Sequence, residues 1–197
     1  MGRLKGRIAL VCGASMGIGS AIAKRFQDEG AEVHGLARSE DLLAAMELDG
    51  YLVQDLDDLD ALSALELPAA TILVNNTGGP PHGSILEVDP YEFGKAFRRH
   101  VMASHVLVRG LLPHMKTAGF GRILNVVSTS VREPIPDLGV SNTVRAAMAG
   151  YLLRRWNVDC TERGSLEGAE YQLWLQNRFT LRDVDNLAIA PGYAEPK

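Results

Sequence analysis

Three glycines that follow a short apolar run have the spacing of a phosphate-binding loop. The segment Gly13–Gly19 reads G-x-x-x-G-x-G and comes directly after Ile8–Cys12, a run typical of a buried strand. Glycine permits a tight turn at this point, and the backbone amides that open the following helix can bind a pyrophosphate. The alternative is a structural turn that binds nothing. We predict that the loop contacts a dinucleotide through Gly13, Ser15, Met16, Gly17, Ile18 and Gly19.

The residue after the second apolar run indicates which dinucleotide is preferred. An acidic residue at this place would bind a ribose 2′-hydroxyl group, whereas a basic residue would bind a 2′-phosphate. Arg38 stands here and no carboxylate does, so NADP(H) is expected and NAD(H) remains possible. Met16 occupies the loop position where a second basic residue would have strengthened the prediction. Arg38 as an ordinary surface charge is the alternative.

Short apolar runs alternate with longer segments of helical period, which predicts an α/β fold with a doubly wound parallel sheet, the Rossmann fold. The predicted strands are Ile8–Cys12, Val33–Ala37, Tyr51–Val53, Ile72–Val74, Ile123–Val127 and a last one at Leu187–Ala190. The predicted helices run from Ile18 to about Phe26, from Asp89 to about Met115, and from Ser141 to about Trp156. Near 157–183 the periodicity fades, and no element is predicted there.

Length and composition favour one domain over residues 1–197, because 197 residues with 46% hydrophobic content suffice for a single core. The net charge of −4 gives no electrostatic support for a nucleic-acid partner. The five apolar residues Ile8–Cys12 are too few for a signal peptide or a membrane span, so a cytoplasmic protein without a membrane partner is expected. Only two cysteines occur, which predicts no disulfide framework, and no metal site is predicted.

Four further motifs follow the later strands in a fixed order. They are Asp55-Leu56, Asn75-Asn76-Thr77-Gly78, Ser128 and Pro191-Gly192. Together with the glycine loop they resemble the short-chain dehydrogenase/reductase family, in which Cys12 would be a threonine. The resemblance implies that Asp55 contacts adenine and that Leu56, Asn76, Thr77, Gly78, Pro191 and Gly192 line the cofactor cleft. Asp55 as a solvated turn residue, and the asparagines as strand-end caps, remain alternatives.

The same resemblance places a catalytic group in which three of four family residues are replaced. The family uses a serine, a Tyr-x-x-x-Lys pair and an asparagine; here Ser128 matches the serine and His100 falls at the asparagine. The residue thirteen positions after Ser128 is Ser141, and Arg145 follows four positions later. Ser141-Asn142-Thr143-Val144-Arg145 resembles a divergent subset labelled 3-oxoacyl-acyl-carrier-protein reductase-like. We expect Ser128, Ser141 and Arg145 to be the catalytic residues.

The replacements leave open whether the chain is an enzyme or a protein that has lost the family's activity. A serine hydroxyl is a poor proton donor and an arginine keeps its proton near neutral pH, so positioning could persist without acid–base chemistry. The first hypothesis is an oxidoreductase that transfers a hydride between NADP(H) and a carbonyl or alcohol substrate. The alternative is a catalytically degenerate nucleotide-binding or assembly protein; a damaged chain that binds nothing is a third. His82, His100 and Tyr193 are further candidates for acid–base or nicotinamide contacts.

The resemblance also bears on assembly and on the C-terminal part. Family members pair through their two long helices, so a homodimer or homotetramer is expected. Ser141 and Pro191 are 50 positions apart, more than is usual in the family, so the stretch near 157–183 resembles an insertion or a replaced segment. The family's C-terminal strand and lid are expected to be absent.

Overall fold

The computed structural model describes residues 2–159 and 169–175. Strands and helices alternate along the chain. The strands are β1 (Ile8–Cys12), β2 (Glu32–Ala37), β3 (Gly50–Val53), β4 (Ile72–Asn75), β5 (Gly121–Val127) and β6 (Ala169–Leu175). The helices are α1 (Gly17–Asp28), α2 (Glu40–Ala44), α3 (Leu59–Ala64), α4 (Pro90–Phe97), α5 (Ala103–Thr117) and α6 (Gly139–Asp159), with a π-helical turn at Arg98–Met102 and a 3-10 turn at Thr129–Val131.

The six strands form one parallel sheet in the order β3-β2-β1-β4-β5-β6. The chain therefore winds outward from β1 in one direction and from β4 in the other. In such sheets ligands bind outside the carboxyl ends of the strands where the direction reverses, here between β1 and β4. The doubly wound α/β fold is confirmed, and it places the glycine loop at that crevice.

Helices cover both faces of the sheet, and alternate side chains of β1 are buried on opposite faces. Ala9 and Val11 pack into a core with Phe26 of α1. Leu10 and Cys12 pack into a second core that includes Leu107, Leu111 and Met115 of α5. This period of two, apolar on both faces, is what a fully covered parallel strand requires.

A third, smaller apolar cluster fixes α6 against the end of β5. Val140, Val144 and Met148 recur at intervals of four on one face of α6 and are buried. They pack with Val127 of β5 and Val101 of the π-helical turn. Ser141 and Arg145 follow two of these residues directly, so they too are carried toward the sheet end.

Two differences from the sequence prediction concern the later part of the chain. The helix predicted from Asp89 to Met115 is interrupted by the π-helical turn, and it ends at Thr117. A strand, β6, pairs with β5 within the stretch where no element was predicted; its apolar residues alternate as Ala169, Tyr171 and Leu173, which suits a strand. The strand predicted at Leu187–Ala190 lies outside the described residues. No helix in the described ranges is long and apolar enough to span a lipid bilayer.

Candidate functional site

The loop between β1 and α1 needs glycine for geometric reasons. Gly13 has φ +64° and its N–H donates to the Leu36 carbonyl oxygen over 2.7 Å, which joins the ends of β1 and β2. Gly17, the first residue of α1, has φ +58°. A Cβ atom on Gly19 would lie 2.0 Å from the carbonyl oxygen of Gly13. Two glycines thus supply the left-handed turns, and the third lets α1 start directly against the loop.

Asn76 packs under this loop from the end of β4. Its side-chain Nδ2 would lie 2.7 Å from a Cβ atom placed on Gly13. Its backbone N–H hydrogen-bonds the sulfur of Cys12, but burial dominates and raises the pKa of this thiol to about 12. Cys12, at the position of the family's threonine, is therefore a neutral structural residue that lies between the loop and β4.

A pocket of about 300 Å³ opens at this edge of the sheet. Ten of the predicted cofactor residues line it: Gly13, Ser15, Met16, Ile18, Arg38, Asp55, Leu56, Asn76, Thr77 and Gly78. Gly17 and Gly19 shape the loop without lining the pocket. Leu36, Ala37, Ser39, Gln54 and Arg99 also line it and were not predicted. Pro191, Gly192 and Tyr193 lie outside the described residues.

Arg38 and Asp55 face each other at the mouth of the pocket. Arg38 Nη1 lies 3.8 Å from Asp55 Oδ2, and the two side chains are 70% and 42% exposed. An ion pair with such a long N–O distance and such exposed side chains contributes little to stability. The guanidinium of Arg38 is therefore available to an incoming anion. Asp55 is also part of a turn, because its Oδ1 accepts the N–H of Asp57 over 3.0 Å.

A more tightly held ion pair joins Arg99, which lines the pocket, to Asp57. Arg99 Nε donates to Asp57 Oδ1 over 2.9 Å, and an Nη2–H donates to the other oxygen of that carboxylate. This two-point contact is the main cause that raises the pKa of Arg99. It ties the π-helical turn to the segment after β3. No local sequence signal pointed to the pair, since its members are 42 positions apart.

The π-helical turn holds His100 beside the pocket wall. His100 is 3% exposed, and its Nδ1 hydrogen-bonds the hydroxyl of Thr77, which lines the pocket. Burial, together with the charges of Arg145 and Arg99, lowers the pKa of His100 to about 3. His100 is therefore neutral at pH 7 and does not act as an acid there. His82, by contrast, is exposed.

The three predicted catalytic residues are buried between β5 and α6. Ser128 follows β5 directly, and its Oγ accepts the N–H of Ser130 over 3.1 Å. Ser141 and Arg145 lie one helical turn apart on α6, 8% and 3% exposed. Arg145 donates from Nη1 to the Val126 carbonyl oxygen over 2.6 Å, and burial lowers its pKa to about 10. None of the three lines the pocket described above, although Arg145 is close enough to His100 to lower its pKa.

Comparison with known proteins places these features in one family. The family model described as short chain dehydrogenase matches residues 7–155. A second model, the C-terminal dimerization domain of the BrxR transcriptional regulator, matches only residues 139–181. The dehydrogenase/reductase SDR family member 6 of Danio rerio is 31% identical over 173 residues, which cover 83% of this chain and 69% of that protein.

Another relative and one solved structure extend the comparison. The uncharacterized oxidoreductase YvrD of Bacillus subtilis strain 168 is 32% identical over 148 residues, covering 69% of this chain and 56% of that protein. L-sorbose reductase of Gluconobacter frateurii, solved with NADPH and L-sorbose, superposes with a TM-score of 0.74 at 27% identity, covering 80% of this chain and 65% of that one. The chain spans about half to two thirds of the length of the curated relatives it matches.

Proposed function

This chain belongs to the short-chain dehydrogenase family, and we propose that it is an NADP(H)-dependent oxidoreductase that interconverts a carbonyl compound and an alcohol. The observation that carries the proposal is the pocket between β1 and β4, with the glycine loop on one side and the exposed guanidinium of Arg38 on the other. The loop fits a pyrophosphate because it brings the N-terminal turn of α1, whose backbone N–H groups can bind phosphate, to the edge of the pocket. The solved relative with NADPH supports the same cofactor.

Arg38 would select NADP(H) by binding its 2′-phosphate. The charge-assisted contact would replace the weak pairing with Asp55. Hydrogen bonds to charged groups contribute about 1.5–3 kcal/mol, so Arg38→Gln is expected to weaken NADPH binding roughly 10- to 150-fold. NADH binding should hardly change, because NADH lacks the phosphate.

The test is a titration of the purified chain with NADPH and NADH, followed by calorimetry or by quenching of the fluorescence of its two tryptophans. The matched control is Arg109→Gln, which removes the same charge from an exposed site on α5. Binding that favours NADPH and loses this preference in Arg38→Gln alone supports the proposal. No binding of either dinucleotide to the wild-type chain would refute it.

In this function Ser128 and Ser141 would orient the substrate oxygen and Arg145 would stabilise negative charge on it. The cofactor, when bound, supplies or accepts the hydride. Ser128 can donate its hydroxyl hydrogen to a carbonyl oxygen because its Oγ lone pair is used by the Ser130 N–H. Arg145 keeps its charge near neutral pH and would interact with the ribose and the developing alkoxide. Since neither serine nor the neutral His100 is an acid at pH 7, water would supply the proton.

The second candidate function is nucleotide binding without turnover. It is favoured by the lack of a group that titrates near pH 7 among Ser128, Ser141, His100 and Arg145. The double variant Ser141→Tyr, Arg145→Lys would restore the family's acid–base pair. If wild-type protein binds NADPH without turnover and this variant reduces a ketone, the degenerate reading is supported. Loss of wild-type ketone reduction in Ser128→Ala would support the enzyme instead.

Assembly, location and the narrower subset stay predictions. A homodimer or homotetramer through α4–α5 and α6 would be tested by light scattering on the purified chain. The cytoplasmic location would be tested by fractionation. The resemblance to the 3-oxoacyl-acyl-carrier-protein reductase-like subset rests on the segment Ser141–Arg145, and a 3-oxoacyl thioester should be included among the substrates tried.

A further inference from the structure

A methionine of the glycine loop stands at the opening of the cofactor pocket. Met16 lines the pocket and is 63% exposed. Met102 is the next most exposed methionine of the described ranges at 43%, whereas Met46 is half-buried and Met115 and Met148 are buried. Oxidation of a thioether requires access to its sulfur. Within the described part of the chain, Met16 is therefore the methionine that an oxidant reaches most easily.

Met16 also caps the start of α1, the helix that presents its backbone amides to the pocket. Its backbone is extended, with φ −161° and ψ 168°, and its side chain makes no capping hydrogen bond within the described ranges. The first backbone bond of the helix runs from the Ser20 N–H to the Met16 carbonyl oxygen over 3.3 Å. The N–H groups of Gly17, Ile18 and Gly19 precede that bond, so the helix itself does not use them. They are the donors to which a pyrophosphate would bind.

A peroxide would convert this apolar side chain into a hydrogen-bond acceptor. The sulfur lone pair of Met16 attacks one oxygen of hydrogen peroxide, an S–O bond forms, the O–O bond breaks and water leaves. The sulfur is oxidised to a sulfoxide and the peroxide is reduced to water. The sulfoxide oxygen carries partial negative charge and only accepts hydrogen bonds, as phosphate oxygens do. It would compete with the cofactor's phosphates for the amides that open α1 and for the guanidinium of Arg38, which lines the same pocket.

The thiol of Cys12, which lies under the same loop, is a poor target for the oxidant. It is buried, and burial raises its pKa to about 12, so it stays protonated at neutral pH. The thiolate is the form that reacts with peroxide, so Cys12 is protected where Met16 is not.

We propose that Met16 is a reversible oxidation site through which a peroxide weakens NADP(H) binding. The proposal rests on the proposed function, since it needs the dinucleotide to bind in the pocket that Met16 lines. It adds regulation of that site, because oxidation lowers the affinity for the cofactor and methionine sulfoxide reductases restore it. Bound NADP(H) covers Met16, so the cofactor in turn protects the sulfur from the peroxide.

The first test treats the Cys160→Ser protein with hydrogen peroxide, follows each methionine by peptide mass spectrometry and measures NADPH binding by calorimetry. Met16 should be oxidised before Met102, and saturating NADPH should slow the oxidation of Met16 alone. Complete oxidation of Met16 should weaken NADPH binding roughly tenfold, the effect of losing about one charge-assisted hydrogen bond. Oxidation of Met102 before Met16, equal oxidation of Met16 with and without NADPH, or unchanged NADPH binding after full oxidation of Met16 would overturn the proposal.

Two variants and a repair step separate this effect from general oxidative damage. In Met16→Leu, peroxide should leave the NADPH affinity at the value of the untreated variant. Met102→Leu is the matched control and should lose affinity on oxidation as the Cys160→Ser protein does. Treatment of the oxidised protein with the two methionine sulfoxide reductases and a dithiol should restore NADPH binding. A peroxide response that persists in Met16→Leu, or binding that stays weak after Met16 has been reduced, contradicts the proposal.

The same titrations report separately on the proposed function. NADPH binding before any peroxide is added depends only on the pocket, so its absence from the untreated protein refutes the proposed function. Normal NADPH binding that survives complete oxidation of Met16 refutes the modification site alone.

Discussion

Replacing Gly19 by alanine should be the most damaging single change in the glycine loop. The new Cβ atom would lie 2.0 Å from the Gly13 carbonyl oxygen and 2.8 Å from Asn76 Nδ2. An ordinary contact begins at 3.4 Å, so the Gly13 oxygen and the Gly19 backbone must separate by 3.4 − 2.0 = 1.4 Å. The contact is with backbone, which cannot rotate away as a side chain does. Overpacking costs about 1–3 kcal/mol, and we expect a loss near the upper end, about 3 kcal/mol.

Gly17→Ala provides the comparison, because it introduces strain without a collision. Gly17 has φ +58°, and a Cβ atom there would meet nothing within 4 Å. The left-handed conformation costs a non-glycine residue about 1–2 kcal/mol. Gly94→Ala in α4 is the control: its Cβ atom also meets nothing within 4 Å, and alanine in a helix interior gains up to about 1 kcal/mol over glycine.

Urea unfolding at 25 °C, followed by circular dichroism, should rank the three variants from least to most stable as Gly19→Ala, Gly17→Ala and Gly94→Ala. Calorimetry with NADPH should show lost binding for Gly19→Ala, because the loop amides move with the displaced backbone. The reasoning fails if Gly19→Ala unfolds within about 0.5 kcal/mol of wild type, a difference typical of neutral surface changes. It also fails if Gly17→Ala is the least stable of the three.

Three further predictions concern ionisation. Burial lowers the pKa of His100 from 6.5 to about 3, so the folded state resists protonation. The free energy of unfolding should therefore fall by up to about 1.4 kcal/mol per pH unit as the pH falls below 6.5. In His100→Asn, the free energy of unfolding in urea should depend less on pH between 6.5 and 5 than it does in the wild type. The hydrogen bond from Arg3 lowers the pKa of Glu29 from 4.5 to about 2. The contribution of the Glu29 carboxylate to stability is therefore present above pH 4.5 and is lost as the pH falls toward 2. Over that range, the free energy of unfolding of Glu29→Gln should depend less on pH than that of the wild type. Burial raises the pKa of the Cys12 thiol to about 12, so this thiol should not react in the native protein. In a Cys160→Ser variant, a disulfide reagent should leave the native protein unmodified and should label one thiol in urea. Rapid labelling of the native protein would contradict this prediction.

The sheet was predictable from the sequence because its signals are local. β1 through β5 begin and end within two residues of the predicted runs. Buried parallel strands are continuous apolar runs, and the glycines, which break these runs, mark the turns. The glycine loop and Arg38 were predictable for the same reason, since a residue at the end of a known strand must lie at the edge of the sheet. β6 was not predicted because the stretch near 157–183, which contains it, carries scattered charges that hide the apolar pattern of a strand.

Only the tertiary structure decided the electrostatic state of the site. Thr77, His100 and Arg145 stand in three separate segments of the sequence, and nothing local indicated that His100 would be buried beside Arg145. The pairing of Asp57 with Arg99 needed the π-helical turn to lie beside the segment after β3, and the burial of Arg145 needed the packing of α6 on β5. Residue types and their spacing determined which groups could reach the crevice. Burial, which depends on every element packed around a group, determined whether those groups hold a charge or a proton.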